Sequence, residues 1–130
     1  MTPSDEPVDA EDVRVIVVDD DREVAETLAA ALEFDGYRVK IADNGAQAVA
    51  LVAEFAPHCV LLDVEMPGMD GDELSKRLRE GYGDEIVLIA VTGGRDKDKR
   101  VHDTFDRVDH YLKKPVDLDL LRRLLPRIVP

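Results

Sequence analysis

Five polar side chains each come at or just after the end of a short apolar run, and their types suit a phosphoryl site. They are Asp19, Asp20, Asp63, Thr92 and Lys114. Carboxylates bind hard divalent cations, while a lysine and a hydroxyl can hold the oxygens of a phosphoryl group. Each residue alone is ordinary, because a strand-end aspartate often caps a helix and Lys-Pro is a common surface turn. Together they predict one Mg²⁺-dependent phosphoryl site, if the fold brings them to one place.

The elements that must position these residues are apolar runs, rich in β-branched residues, that alternate with stretches of helical spacing. The runs begin near Val13, Tyr37, His58, Ile86 and Val108. This alternation predicts an α/β fold, a flavodoxin-like, doubly wound (βα)5 with a five-stranded parallel sheet of order 2-1-3-4-5 and helices on both faces. In that order the first and third strands are neighbours, so the carboxylates that follow these strands would converge at one crevice.

The predicted helices differ in the strength of their signals. Gly36 is expected to follow the first helix in a left-handed conformation, and Asn44 with Gln47 has the spacing of a capping box for the second. The fourth helix, residues 95–107, offers only Val101 and Phe105 as apolar anchors among many charges. We expect this segment to be short or weakly anchored, with amides that exchange faster than those of the first and fifth helices.

The composition of this 130-residue chain predicts one domain and excludes several functions. The chain has a net charge of -12 and so lacks the basic surface that nucleic-acid binding requires. We therefore expect no direct nucleic-acid binding. No apolar stretch reaches the length of a membrane span, so we expect no membrane insertion. The single cysteine, Cys59, suits a reducing cytoplasm. Residues 1–12 are acidic, contain no lysine or arginine and predict a disordered tail before a domain at 13–130.

Three carboxylates at one sheet edge require a counter-charge, since like charges about 4 Å apart repel by roughly 4 kcal/mol at an effective dielectric constant near 20. All-oxygen ligands favour Mg²⁺. Zinc is disfavoured, because the histidines are scattered without the spacing of ligands. With a metal bound, Asp63 would attack phosphorus and Lys114 would neutralise the developing charge. Thr92 offers a hydroxyl and Gly93 a backbone amide to the remaining phosphoryl oxygens.

Four segments of the chain resemble the receiver domain of two-component response regulators. They are residues 17–21 (VVDDD), 62–71 (LDVEMPGMDG), 91–93 (VTG) and 111–115 (YLKKP). The resemblance runs from about residue 13 to residue 128, and the segment from Asp63 to Gly71 is highly specific. It identifies residues 13–130 as a receiver domain.

The resemblance implies that Asp63 accepts a phosphoryl group from a histidine kinase or a histidine phosphotransfer protein. Asp20 and Asp63 would bind Mg²⁺ directly, and Asp19 would act through water. The backbone carbonyl of Glu65 would complete the metal shell, while its side chain would tune hydrolysis of the acyl phosphate. Beyond promoting its own phosphorylation and hydrolysis, such a domain is a switch and not an enzyme.

The same resemblance implies an output surface. Thr92 matches the switch hydroxyl of the family, and Tyr111 matches the aromatic residue that turns inward behind it. The surface of the fourth helix, fifth strand and fifth helix would then change shape and control a downstream protein target or an attached effector. The chain departs from the family here, because Asp103, Asp106 and Arg107 stand where small apolar residues and a glycine are usual. The departure concerns the output and leaves the phosphoacceptor unaffected.

Two other functions are compatible with parts of the pattern. The residues Asp19-Asp20-Asp21 also fit the DxD motif of haloacid-dehalogenase-like phosphatases, which would make Asp19 the nucleophile. That reading leaves Asp63 and the loop at 66–68 unexplained, and the chain lacks a cap. The other is a pseudo-receiver, an unphosphorylated docking module with the same fold, for which the acidic residues, threonine and lysine would have no use.

Overall fold

The strands of the computed structural model, which describes residues 13–66, 71–93 and 106–126, form one parallel sheet. The strands are β1 (Arg14–Val18), β2 (Arg38–Ala42), β3 (Cys59–Asp63), β4 (Val87–Thr92) and β5 (His110–Lys113). Their order is β2-β1-β3-β4-β5, and each neighbouring pair is parallel. The predicted order 2-1-3-4-5 is therefore confirmed.

Three helices connect successive strands and the last follows β5, and three of the four begin after a capping residue. The described helices are α1 (Arg22–Phe34), α2 (Gly45–Phe55), α3 (Gly71–Tyr82) and α4 (Leu118–Leu124), the last being the predicted fifth helix. Asp21, Asn44 and Asp117 cap α1, α2 and α4 by accepting hydrogen bonds from backbone N–H groups of the first turn. Gly36 follows α1 with φ 103°, so its predicted left-handed conformation is confirmed.

Alternating strand side chains pack into two apolar clusters, one on each face of the sheet. On one face Ile16, Val60 and Leu88 pack with residues of α2 and α3. On the other face Val15 and Leu61 pack with residues of α1 and α4. The helices thus cover both faces, as predicted. All residues of the central strand β3 are buried, which accounts for its uninterrupted apolar sequence before Asp63.

The register of the strands brings their carboxyl ends to one edge of the sheet. Val18 is paired with Leu62, so the residues that follow them, Asp19 and Asp63, lie level with each other. Asp63 is in turn paired with Val91 and Thr92 with Lys113, which places the ends of β4 and β5 beside the end of β3. The polar residues singled out in the sequence therefore share one edge, where open α/β sheets bind ligands.

Two predictions fall largely outside the described residues. The acidic tail at 1–12 is one, and the fourth helix at 95–107 is the other, apart from residues 106 and 107, which form a turn. Asp103 lies outside them as well. Among the residues that the structure describes, no helix is long and apolar enough to cross a membrane.

Candidate functional site

Three carboxylates form the centre of the site. One oxygen from each of Asp19, Asp20 and Asp63 lies within 4.8 Å of the other two. Asp19 and Asp63 are buried, at 3% and 5% exposure, whereas Asp20 is exposed. Asp19 is held in place because its N–H donates to the Ala42 carbonyl at 3.1 Å and its Oδ1 accepts the Asp21 N–H at 2.9 Å. The predicted convergence of the carboxylates is confirmed.

Lys114 supplies the positive charge of the site. Its Nζ donates to Asp19 Oδ2 at 3.1 Å and to Asp63 Oδ2 at 3.3 Å. Its backbone N–H donates to the Thr92 carbonyl at 2.8 Å, which fixes the chain just before a cis Lys114–Pro115 bond. Burial alone would lower the pKa of Lys114, but the hydrogen bonds and charges of Asp19 and Asp63 outweigh it and raise that pKa. The lysine is therefore a permanent cation at neutral pH.

The environment of Asp63 disfavours its negative charge. Burial raises the pKa of the Asp63 carboxyl, and the charge of Asp19 raises it further. The Glu65 N–H, which donates to Asp63 Oδ1 at 3.0 Å, and the Lys114 ammonium oppose this rise without cancelling it. One ammonium thus faces three carboxylates, and the excess of negative charge fits a hard divalent cation with oxygen ligands.

Thr92, Gly93 and Glu65 border the carboxylates. Thr92 is buried at the end of β4, at 1% exposure. A Cβ atom at Gly93 would lie 3.3 Å from Glu65 Oε2, so the exposed Glu65 side chain reaches across the backbone of residue 93. An additional negative charge therefore lies at the rim of the site. The role expected of the Glu65 backbone carbonyl stays a prediction.

Tyr111 lies on the edge strand β5 and is 58% exposed. In this arrangement the ring points away from the core, and the inward turn that the family resemblance implies stays a prediction.

Two residues that stand in the quoted sequence motifs have roles in the site that the sequence analysis did not assign. Asp21 caps α1 and orients Asp19, and its position directly before a helical pattern was the available signal. Gly71 begins α3, and a Cβ atom there would lie 2.6 Å from Val64 Cα and 2.9 Å from the Asp63 carbonyl oxygen. Only a glycine permits this approach of α3 to the loop after β3. No local signal distinguishes such a contact from an ordinary turn.

A cavity of about 560 Å³ adjoins the site between α1 and the loop that leads to α4. Its lining includes Val24, Leu28, Lys114, Val116 and Leu118. Lys114 is the only one of the five predicted polar residues in that lining, so the three clustered carboxylates do not line the cavity.

Known proteins are similar to this chain in sequence and in fold. The chain matches the sequence model of the response regulator receiver domain over residues 15–125. It is 41% identical over 122 residues to the response regulator MprA of Mycolicibacterium vanbaalenii, a match that covers 91% of this chain and 52% of that protein. The chain therefore belongs to the receiver domain family of response regulators, the signalling switches of two-component systems. It spans about half the length of the MprA relatives that it matches.

Solved structures agree with this assignment. A CheY-like response regulator receiver domain protein from Methanospirillum hungatei superposes with a TM-score of 0.78 at 29% identity, covering 86% of this chain and 90% of that one. The response regulator TrrA of Thermotoga maritima, solved in complex with Mg²⁺-BeF, gives a TM-score of 0.76 at 29% identity and covers 87% and 99% of the two chains.

Proposed function

We propose that this receiver domain is a phosphoacceptor switch in which Asp63 takes a phosphoryl group from a histidine kinase or a histidine phosphotransfer protein. The observation that carries the proposal is the contact of Lys114, whose side chain is 29% exposed, with two carboxylates. These two belong to the cluster of three carboxylates at the carboxyl edge of the sheet. A structural salt bridge needs one carboxylate for each ammonium. The surplus of acid is explained if the site serves a metal ion and a phosphoryl group.

The cation would be Mg²⁺, held by Asp20, Asp63 and the Glu65 carbonyl, with Asp19 acting through water. The donor set fits, because it consists of oxygens and because exposed Asp20 leaves room for the waters that Mg²⁺ retains. The TrrA structure in complex with Mg²⁺-BeF supports Mg²⁺ as the cation. When bound, the ion would neutralise negative charge on the carboxylates and on the phosphoryl oxygens.

The transfer forms one bond and breaks one. A carboxylate oxygen of Asp63 attacks phosphorus, an oxygen–phosphorus bond forms, and the bond between phosphorus and the donor imidazole nitrogen breaks with its electron pair left on nitrogen. The Glu65 N–H at 3.0 Å from Oδ1 orients the carboxylate for this attack. Asp63 is buried, which limits the access of water to its carboxylate. Attack on the phosphoryl donor by Asp63 is therefore favoured over attack on the same donor by water.

The product would be held by groups already near the site. The Lys114 ammonium donates hydrogen bonds to Asp19 and Asp63. It can exchange one of these hydrogen bonds for a hydrogen bond to a phosphoryl oxygen. The Thr92 hydroxyl and the Gly93 N–H would bind the other oxygens. Because the Thr92 carbonyl accepts the Lys114 N–H, a shift of Thr92 also displaces the end of β5, the strand that carries Tyr111.

Phosphorylation would change the shape of the surface formed by the predicted fourth helix, β5 and α4. This surface would control a downstream protein target or an attached effector. The MprA relatives are about twice as long as this chain, which supports the attached effector as one form of that output. The phosphoacceptor role makes the domain a switch that turns over only its own acyl phosphate. A cytoplasmic location belongs to the same proposal, because buried, unpaired Cys59 suits a reducing compartment.

The test is incubation with Mg²⁺ and acetyl phosphate, followed by the mass of the intact protein. We expect one phosphoryl adduct that requires Mg²⁺ and is absent from Asp63→Asn. Glu54→Gln is the matched control, because it removes one carboxylate from an exposed position of α2 outside the site. A folded wild type without an adduct would instead favour the docking module. Phosphate-ester turnover that survives Asp63→Asn and is lost in Asp19→Asn would favour the phosphatase.

A further inference from the structure

Residues 107–109, which lead into β5, are tied to α3 by two ion pairs of opposite polarity. The Arg107 guanidinium donates to the Asp72 carboxylate, and Arg79 Nη2 donates to Asp109 Oδ2 at 2.8 Å. Asp72 and Arg79 are seven residues apart in α3, which is about two turns, so both lie on the same face of the helix. Arg107 is one of the residues by which the sequence departs from the usual receiver pattern.

Arg79 anchors one end of this arrangement. Besides Asp109, its guanidinium donates to the carbonyl oxygens of Arg107 at 2.6 Å, Gly83 at 2.8 Å and Ile86 at 2.9 Å. Its side chain is only 18% exposed. A guanidinium with four acceptors and little exposure has a fixed position, since loss of its bonds to the Arg107 and Ile86 carbonyls would leave partly buried groups unsatisfied.

Asp109 extends the anchor to the sheet. Its Oδ2 accepts the Leu88 N–H at 2.8 Å, and its own N–H donates to the Leu88 carbonyl at 2.8 Å. Val108, between the two ion pairs, packs against the apolar cluster beneath α3. Burial would raise the pKa of Asp109, but the Leu88 hydrogen bond and Arg79 lower it. Asp109 is therefore ionised at neutral pH and pairs with the Arg79 guanidinium.

The opposite end of α3 touches residues 63 and 64, which we call the phosphoacceptor loop. The Gly71 N–H donates to the Val64 carbonyl at 3.2 Å, and the backbone of Gly71 approaches Val64 and Asp63 too closely for a side chain. Asp72, the partner of Arg107, is the next residue. The end of α3 that holds Arg107 is therefore in contact with the backbone at Asp63 and Val64, while Arg79 holds the other end.

We propose that Asp72 and Arg107 are positioning residues that stabilise the resting arrangement and couple the phosphoacceptor loop to the segment that leads into β5. The inference rests on the proposed function. A ligand shifts a two-state element only through contacts that differ between its states. We assign to the resting state the arrangement described above, in which the Asp72–Arg107 pair is formed beside residues 63 and 64 and Tyr111 is 58% exposed. Loss of this pair favours the switched state and raises the affinity for a phosphoryl mimic.

The test is a double-mutant cycle of Asp72→Asn and Arg107→Gln, with beryllofluoride and Mg²⁺ as the probe. We expect each single variant to bind the probe about three- to tenfold more tightly than the wild type, and the double variant to gain no more than either single variant. Without the probe, the amide resonances of residues 108–112 should move toward their positions in the probe-bound wild type. If the Asp72–Arg107 contact were purely structural, its loss would not move these resonances toward their probe-bound positions.

Glu73→Gln and Arg77→Gln are the matched controls, because this pair of α3 is solvent-exposed and i,i+4 spaced, and neither variant should change the affinity. Single Asp72 and Arg107 variants with unchanged or weaker binding, beside a wild type that binds, would overturn the inference alone. A wild type that binds no probe in the presence of Mg²⁺ would overturn the proposed function together with it.

Discussion

Replacement of Asp63 by asparagine should stabilise the metal-free domain. Asparagine has nearly the same shape, and its Oδ1 can still accept the Glu65 N–H that now bonds Asp63. The substitution removes the negative charge that burial and Asp19 disfavour. Sites built for ligands commonly retain such unfavourable interactions, and their removal stabilises the fold.

The distances give the size of the effect. Each repulsion between Asp63 and its two carboxylate neighbours is at least roughly 3.5 kcal/mol, because the oxygens lie within 4.8 Å of one another and the effective dielectric constant is near 20. The attraction between Asp63 and Lys114 at 3.3 Å is about 5 kcal/mol on the same scale. Removal of two repulsions and one attraction leaves about 2 kcal/mol in favour of the variant, and solvent screening at exposed Asp20 reduces this to about 1 kcal/mol.

Urea and thermal unfolding in EDTA, and again in millimolar Mg²⁺, measure the effect. In EDTA we expect Asp63→Asn to unfold about 3 to 8 °C above the wild type. Added Mg²⁺ should raise the melting temperature of the wild type more than that of the variant, because a ligand stabilises only the state that binds it. The exposed Glu54→Gln variant corrects for the change in net charge. A variant less stable than the wild type in EDTA, or equal Mg²⁺ shifts in both proteins, would refute the reasoning.

Three further perturbations test the local structure. Gly71→Ala should lower the free energy of unfolding by about 1 to 3 kcal/mol and slow phosphorylation, because its Cβ would overlap Val64; urea unfolding and adduct formation measure both, and wild-type values would contradict the contact. Asp21→Ala should cost about 1 kcal/mol through the lost cap of α1, whereas Asp21→Asn should restore most of it in the same titration. The lowered pKa of Asp109 means that its contribution is present above about pH 4, the ordinary aspartate range, and lost as pH falls through the folded-state value. Arg79→Gln should flatten that part of the stability-versus-pH curve, and an unchanged acid limb would argue against the pair.

Local patterns were sufficient to predict the described strands and helices and the polar residues at the strand ends. Apolar runs ending in Asp19, Asp63 and Thr92 are strands because their side chains are buried on both faces of a parallel sheet. Capping residues such as Asn44 mark helix starts because their side chains bond the first free N–H groups. These are interactions between near neighbours in the chain, so they can be predicted without knowledge of the fold.

The individual contacts of the site required the tertiary structure, although the order of the strands had been predicted. Lys114 meets Asp19 across 95 positions of the chain, and Arg79 meets Asp109 across 30, with no pattern near either residue that names its partner. The same holds for the close approach of Gly71 to the loop after β3. The sequence by itself determined which groups stand at the strand ends. The register and packing of distant segments decided which of them touch, because contacts between distant residues depend on how the whole sheet is assembled.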